Sequence, residues 1–182
     1  MISSVQKAQQ VKLIIFDVDG VLTTGQIVIG PDGEACKEFN SQDGLGIALA
    51  HKAGLKTAII TGRESEIVRR RGDELKIAHI YQGAQDKVTA LHDLMQKYSL
   101  PLNEIAYVGD DINDLPVMCR VGLPCAVANA AAEVKSVARY VANRQGGRGA
   151  VREILEFILK AQGQWDGLIA AYMNPGRFEL TQ

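Results

Sequence analysis

The sequence predicts a three-layer α/β domain, a parallel sheet covered by helices on both faces, and two observations carry that expectation. Apolar runs of strand length alternate along the chain with stretches of helical length, the pattern of successive βα units. The first run, V-K-L-I-I-F from Val11, is apolar without alternation, as a strand buried on both faces is. It breaks directly into D-V-D-G, placing Asp17, Asp19 and Gly20 at its C-terminal end, where open parallel sheets put their ligands. Composition agrees with a folded domain: 47% of residues are apolar, too many for a disordered chain. The formal net charge of −1, from 20 basic and 21 acidic residues, offers no footprint for nucleic acid or an anionic membrane surface. Met1 to Gln10 lacks the apolar core of a signal peptide, and no apolar run approaches the ~18 residues a membrane span needs. The three cysteines, Cys36, Cys119 and Cys125, are widely spaced and odd in number, which points to reduced thiols in a cytoplasmic protein.

Each element has its own justification. The first strand is expected from about Lys12 to Asp17. Gln26–Ile29 and Glu34–Phe39 suit short strands, and Gly30-Pro31-Asp32-Gly33 between them is strong turn chemistry. This hairpin, at about residues 24–39, carries Ile27, Val28 and Ile29 consecutively, so both its faces are partly apolar. A lone hairpin is marginal in water, so it is expected to pack on another surface. A copy of itself from another subunit is one candidate and its own domain is the other. Beyond Ser41-Gln42-Asp43-Gly44 an amphipathic helix runs to Gly54. Lys56–Ile60 is a second buried strand ending in Thr61-Gly62-Arg63, and a charged helix follows from Glu64 to about Leu75. Ile77–Tyr81 is a third strand and Asp86–Tyr98 a helix. Glu104–Val108 is a fourth strand, ending in G-D-D-I-N-D. A short helix to Val121, a strand at Pro124–Val127, a helix from Ala130 and an edge strand at Arg139–Ala142 come next. Gly146-Gly147-Arg148-Gly149 leads into a last helix from Ala150 to about Gln162. A single domain is expected over residues 1–163, with a distinct C-terminal tail over 164–182.

The strand ends gather Asp17 and Asp19, Thr61, and Asp110 with Asp111 and Asp114, while Lys87 opens the helix after the third strand. Carboxylates crowded together repel unless a cation joins them. A hard divalent ion with oxygen ligands resolves this, and Mg²⁺ is the usual choice beside phosphate. Lys87 and the Thr61 hydroxyl suit a phosphate. With no His, Cys or Ser placed as nucleophile, a carboxylate must attack, as in enzymes that pass through an aspartyl-phosphate. Asp19, two residues beyond Asp17, is placed to give the leaving oxygen a proton and later take one from water.

The set D-V-D-G-V-L, I-I-T-G-R, Lys87 and V-G-D-D-I-N-D resembles the haloacid dehalogenase superfamily of phosphatases, whose four motifs occur here in order from Asp17 to Asp114. The resemblance implies a Rossmann-like core, Asp17 as nucleophile, Asp19 as general acid/base, and Thr61 and Lys87 on the phosphate. It implies Mg²⁺ held by the Asp17 carboxylate, the Asp19 backbone carbonyl and Asp110, supported by Asp111 and Asp114. Members differ in where a cap domain is inserted. Here one hairpin and one helix use up the stretch from Asp19 to Ile60, so the chain looks capless. The hairpin, F-N-S-Q-D-G-L-G-I, Y-Q-G with Lys87, and G-G-R-G-A-V-R-E are similar, more narrowly, to the 3-deoxy-D-manno-octulosonate 8-phosphate phosphatases. That similarity covers roughly Val11 to Gly163. It implies hydrolysis of this sugar-acid phosphate in lipopolysaccharide biosynthesis, and homotetramers whose hairpins meet at the centre and help build a neighbour's site. It further implies substrate contacts from Asp43, Gly62, Arg63, Arg71 and Arg148. Arg63 and Arg71, eight residues apart, are expected near one face of one helix.

Two departures from that pattern stand out. The family places a basic residue before Asp43-Gly44, where this chain has Gln42, which bears on fine selectivity. The tail holds Trp165, Leu168, Ile169, Tyr172, Met173 and Phe178, unusually apolar for a free segment, and is expected to dock on a neighbouring subunit, a disordered tail being the alternative. Three alternatives are weighed: a phosphatase for a nine-carbon sugar-acid 9-phosphate, a phospho-receiver domain, and a structural module without chemistry. Asp19 beside Asp17 favours turnover over a receiver's long-lived phosphoryl group, and no motif residue is missing. The absence of G-x-x-x-x-G-K-[ST], and of G-x-G-x-x-G after the first strand, excludes P-loop and dinucleotide-binding enzymes.

Overall fold

The fold is that of a computed structural model, which describes residues 3–174. Its strands are β1 (Leu13–Phe16), β2 (Val28–Gly30), β3 (Gly33–Cys36), β4 (Lys56–Ile60), β5 (His79–Tyr81), β6 (Ile105–Gly109), β7 (Leu123–Ala126) and β8 (Tyr140–Val141). Its helices are α1 (Ser4–Ala8), α2 (Ser41–Lys52), α3 (Glu66–Glu74), α4 (Lys87–Tyr98), α5 (Leu115–Met118), α6 (Ala132–Val137), α7 (Ala150–Ala161) and α8 (Trp165–Met173). Six strands form one sheet in the order β5-β4-β1-β6-β7-β8, and every pair in it is parallel. All residues of β1, β6 and β7 are buried, so helices cover both faces, as continuous apolar runs require. On one side α2 packs against α7, which also receives α1 and α8, and elsewhere α4 packs against α5.

The order of the strands positions the site. From β1 the chain moves to β4 and β5 on one side, then returns to β6, β7 and β8 on the other. The reversal falls between β1 and β6, the place where such sheets open a crevice at their C-terminal ends. Between β1 and β4 lie only the β2–β3 hairpin and α2. Between β4 and β6 lie α3, β5 and α4 with a short 3₁₀ turn at Leu102–Glu104. No cap domain is inserted among the described residues, as expected.

Several boundaries differ from expectation for local reasons. The hairpin strands are shorter than predicted and close through Pro31-Asp32, with Gly33 at φ +115°, a conformation that favours glycine. Helix α3 begins at Glu66, because Ser65 is its N-cap and accepts the Val68 amide at 3.3 Å. The edge strand shrinks to Tyr140–Val141. Helix α1 was not expected, although S-x-x-Q is a capping box: the Gln6 amide donates to Ser3 Oγ at 3.2 Å and the Ser3 amide to Gln6 Oε1 at 2.9 Å.

The tail begins at home. Trp165 and Leu168 pack on the chain's own core, and the Trp165 ring lies 5.3 Å from both Arg152 and Lys160. Lys52 donates to the Tyr172 hydroxyl at 3.4 Å. Only Tyr172 and Met173 remain as large exposed apolar groups of this helix, and Phe178 lies outside the described residues.

Candidate active site

Asp17 follows β1, and its amide continues the strand by donating to Val108 O at 3.1 Å. Its carboxylate turns into the crevice, where Oδ1 accepts the Val18 amide at 2.7 Å and Oδ2 lies 3.0 Å from Lys87 Nζ. The chain then folds tightly. The amides of Val21, Leu22 and Thr23 converge on Val18 O at 3.2, 2.9 and 3.0 Å. Thr23 Oγ1 accepts from Gly20 at 3.4 Å and Gly25 at 3.2 Å. Gly20, at φ +88°, is needed there, since a Cβ would stand 2.0 Å from Asp110 Oδ2. The G-G-R-G segment braces this loop from outside: a Cβ on Gly146 would meet Gly20 O at 1.6 Å.

Asp110 and Asp114 come from the far side of the crevice, after β6. A 3₁₀ turn at Ile112–Asp114 brings Asp114 back beneath the strand end, fully buried. Four donors converge on it. Lys87 Nζ at 2.7 Å and the Tyr107 hydroxyl at 2.6 Å reach Oδ1, and the amides of Asp110 at 2.9 Å and Asp111 at 3.4 Å reach Oδ2. Lys87 opens α4 behind the N-cap Asp86, so the helix start aims its ammonium between Asp17 and Asp114.

One carboxylate oxygen from each of Asp17, Asp110 and Asp114 lies within 4.8 Å of the others. Burial, then the Asp114 charge, raise the Asp17 pKa to about 6 against the opposing pull of Lys87. Burial and the charges of Asp114, Asp17 and Asp111 raise Asp110 to about 7. Lys87 is held above the ordinary lysine value: burial opposes its charge, and Asp17 and Asp114 outweigh that. Asp110 Oδ1 is buried with no hydrogen-bond partner, and an unmatched buried carboxylate oxygen is costly. All-oxygen donors, unmatched negative charge and an orphaned oxygen fit a hard divalent cation. Asp114, already saturated by its four donors, supports that site while Asp17 and Asp110 face it.

Asp19 belongs to a different electrostatic group. Its Oδ1 pairs with Lys37 Nζ, and Arg63 Nε lies 3.9 Å from its Oδ2. Lys37 stands just beyond β3 with a side chain 1% exposed, and its Nζ is also 3.0 Å from Glu34 Oε1. Ser65, the N-cap of α3, donates to Glu34 Oε2. The hairpin therefore does dock on its own domain, through polar groups, while Ile27, Val28 and Ile29 stay 47, 45 and 65% exposed. Sequence reasoning did not single out Lys37 or Glu34. Their i,i+3 spacing across a strand end was the one available signal.

A cavity of about 240 Å³ lined by Asp17, Asp19, Gly25, Thr61, Gly62, Arg63, Asp110, Asp111 and Asn113 joins these groups. A larger groove of about 730 Å³ lies at the opposite ends of the strands, by Gln10, Lys12, Gly54 and Gln162. Its charged pair, Lys12 and Glu104, is self-neutralised at 2.8 Å, so size does not mark the site here. Of the five expected substrate contacts, Gly62 and Arg63 line this cavity. Asp43, Arg71 and Arg148 do not. Asp43 is 2% exposed, and its Oδ1 accepts the Arg152 amide at 2.8 Å. Helix α7 has Gly149 at its N-cap and no side-chain cap of its own, and Asp43 supplies the missing acceptor. Arg71 pairs with Glu74 at 2.9 Å and lies over the Phe39 ring at 5.6 Å. Arg63 precedes the start of α3, so the two arginines do not share a helix face. Arg148 is exposed. Gln42 Oε1 accepts from Arg144 Nη1 at 2.8 Å, away from the cavity.

Comparison with known proteins agrees with this geometry. A family profile described as haloacid dehalogenase-like hydrolase matches residues 72–155. The 3-deoxy-D-manno-octulosonate 8-phosphate phosphatase KdsC of Salmonella typhi is 47% identical over 160 residues, spanning 88% of this chain and 85% of the relative. A crystal structure of a probable YrbI family phosphatase from Pseudomonas syringae is 45% identical, with a TM-score of 0.92 over 94% of this chain and 97% of that one. The Moraxella catarrhalis 3-deoxy-D-manno-octulosonate 8-phosphate phosphatase, solved with magnesium, phosphate and KDO, is 44% identical with a TM-score of 0.90, covering 93 and 97% of the two chains. The strand-end acids, the lysine between them and these likenesses together place the chain among the haloacid dehalogenase-like hydrolases, and within them it belongs to the 3-deoxy-D-manno-octulosonate 8-phosphate phosphatase family.

Proposed function

We propose that this phosphatase hydrolyses 3-deoxy-D-manno-octulosonate 8-phosphate to the free sugar acid and inorganic phosphate, a step of lipopolysaccharide biosynthesis. The observation that carries the reading is the excess of buried carboxylate charge around Asp17, with Lys87 as the one cation in contact among the described residues. An oxygen of Asp17 attacks phosphorus and the P–O bond to the sugar breaks. Asp19 gives the departing oxygen its proton. Asp19 then takes a proton from the water that attacks the aspartyl-phosphate, which frees phosphate and restores Asp17. Lys87 holds Asp17 in place, and Thr61 and the Gly62 backbone border the phosphoryl position. Mg²⁺ held by Asp17, Asp110 and the Asp19 backbone carbonyl would neutralise charge on the transferring group. Asp17→Asn keeps the volume and removes the nucleophile, so Mg²⁺-dependent phosphate release is expected to fall at least about 10³-fold with the thermal transition retained. Activity within tenfold of the parent would refute Asp17 as the attacking group.

The proposed assembly is a homotetramer joined through the hairpin. The exposed Ile27, Val28 and Ile29 support it, since contiguous apolar surface beside an open site marks an interface.

A further inference from the structure

A lysine with almost no solvent contact sits behind the acid/base carboxylate without touching the cavity. The Lys37 side chain is 1% exposed, and Lys37 is absent from the cavity lining. Burying an ammonium costs several kcal/mol unless partners compensate, and here the partners are two carboxylates, Asp19 and Glu34. Glu34 is itself anchored: burial works against its charge, but the Ser65 hydroxyl and the Lys37 ammonium outweigh this and lower its pKa. Ser65 is fixed in turn as the N-cap of α3. A continuous chain of contacts thus runs from the start of α3 through Ser65, Glu34 and Lys37 to Asp19 Oδ1. Asp19 itself lines the cavity, and its second oxygen, Oδ2, has Arg63 Nε at 3.9 Å.

We propose that Lys37 is a positioning residue that anchors Asp19 through Oδ1 and so reserves Oδ2 for proton transfer at the phosphoryl group. This rests on the acid/base role given to Asp19 above. A carboxylate on a loop can otherwise rotate about χ1 and χ2, and a general acid acts only within hydrogen-bond reach of the proton's destination. By this logic the hairpin contributes to catalysis within its own chain, through the residues at its base rather than its apolar tip.

The test compares two phosphates that differ in their need for a proton. An alkyl phosphate such as 3-deoxy-D-manno-octulosonate 8-phosphate expels a strongly basic alkoxide, whereas p-nitrophenyl phosphate expels a stable anion. General acid–base catalysis contributes about 10²–10⁴-fold, so Lys37→Met should lower kcat/KM about 10–100-fold on the alkyl substrate and less than about threefold on the aryl one. Because the base step is also weakened, the variant should show a pre-steady-state burst of p-nitrophenol of about one per active site, reporting an aspartyl-phosphate that accumulates. A merely structural lysine would lower both substrates together with no burst, and that result overturns the proposal. Should Lys37→Met not fold, Glu34→Gln leaves Lys37 and Asp19 in place, loosens the anchor and must show the same asymmetry in smaller degree. Equal losses there overturn the proposal as well. Asp19→Asn separates the two levels. Equal losses on both substrates in Asp19→Asn would reject the acid/base role of Asp19 itself, whereas asymmetry in Asp19→Asn without asymmetry in the Lys37 or Glu34 variants would reject the positioning role alone.

Discussion

The sharpest consequence of the carboxylate cluster is a coupling between pH, Mg²⁺ and stability. Without a cation, the folded state raises Asp17 from 3.8 to about 6 and Asp110 from 3.8 to about 7, burial being the largest cause for both. A raised carboxyl means that the native state keeps a proton the unfolded chain has lost. The stability tied to that proton is fully present below about pH 4 and is lost as pH rises through about 6 to 7. For Asp17 the difference is worth about 3 kcal/mol at about 1.4 kcal/mol per pH unit, an upper figure. Asp110 contributes less than its shift suggests, because solvent reaches it and screens the charge. The two share Asp114 as a cause and do not add. Bound Mg²⁺ keeps both groups ionised, so it displaces protons below pH 7 and its stabilisation grows with pH. Other groups titrate in the same range, among them His51, which burial lowers, but they cancel in the difference between Mg²⁺ and chelator. About half of the Asp17 figure falls between pH 5 and 7.5, so thermal denaturation over that window in Mg²⁺ or EDTA should give a metal-induced rise in Tm that widens by about 3–6 °C. Calorimetric titration near pH 6 should show proton release on binding. A Tm difference that stays flat, or no proton release, would refute the reasoning.

Lys87→Met strands Asp17 and Asp114 as unpaired buried acids, so a loss of about 3–5 kcal/mol at neutral pH is expected in chemical denaturation. Recovery of part of that loss at pH 5 would follow, since protonation removes the uncompensated charge. Asp43→Ala removes the acceptor at the start of α7 and should cost about 1–2 kcal/mol of stability with KM nearly unchanged. A large rise in KM with stability intact would instead restore Asp43 as a substrate contact. Ile29→Glu places a charge on the exposed hairpin tip and should shift sedimentation from the proposed tetramer towards smaller species, while an assembly of unchanged size would remove the hairpin from the interface.

Much of this site was legible before any coordinates, and the physical reason is locality. Asp17, Thr61 and Asp110 each follow an apolar run by a single residue, and a parallel sheet brings the ends of β4, β1 and β6 together whatever else happens. Lys87 follows from one more local rule, an N-cap Asp86 fixing where its helix begins. What sequence could not give depends on which way a side chain points after tertiary packing. Asp43 carries the chemistry of a ligand contact, yet α7 arrives with a bare glycine at its N-cap and takes the carboxylate as its own acceptor. Arg71 was paired with Arg63 by helical spacing, and Ser65 ends that pairing by starting α3 after Arg63. Nothing in the sequence distinguishes Lys37 from a surface lysine. Its burial requires the hairpin to fold back on its own domain, a contact that strand propensity does not encode.

The two acids of D-V-D-G are adjacent in the crevice but have been sorted by their counter-ions. Asp17 shares its surroundings with Asp110, Asp114 and Lys87, three carboxylates against one ammonium. That set is short of positive charge by two when fully ionised, the deficit a divalent cation fills. Asp19 sits with Glu34, Lys37 and Arg63, two acids against two bases, and is balanced without a metal. A carboxylate already compensated gains little from coordinating a metal ion, whereas one that is under-compensated gains much. In the proposed mechanism the side chain of Asp19 is therefore left out of the metal shell and available to carry a proton, two residues from Asp17 as the attacking group. The division of labour between these acids is set by the charges that the hairpin, α4 and the turn after β6 bring to each. Removing Lys37 should accordingly blur it, drawing Asp19 towards the cation that Asp17 and Asp110 would hold.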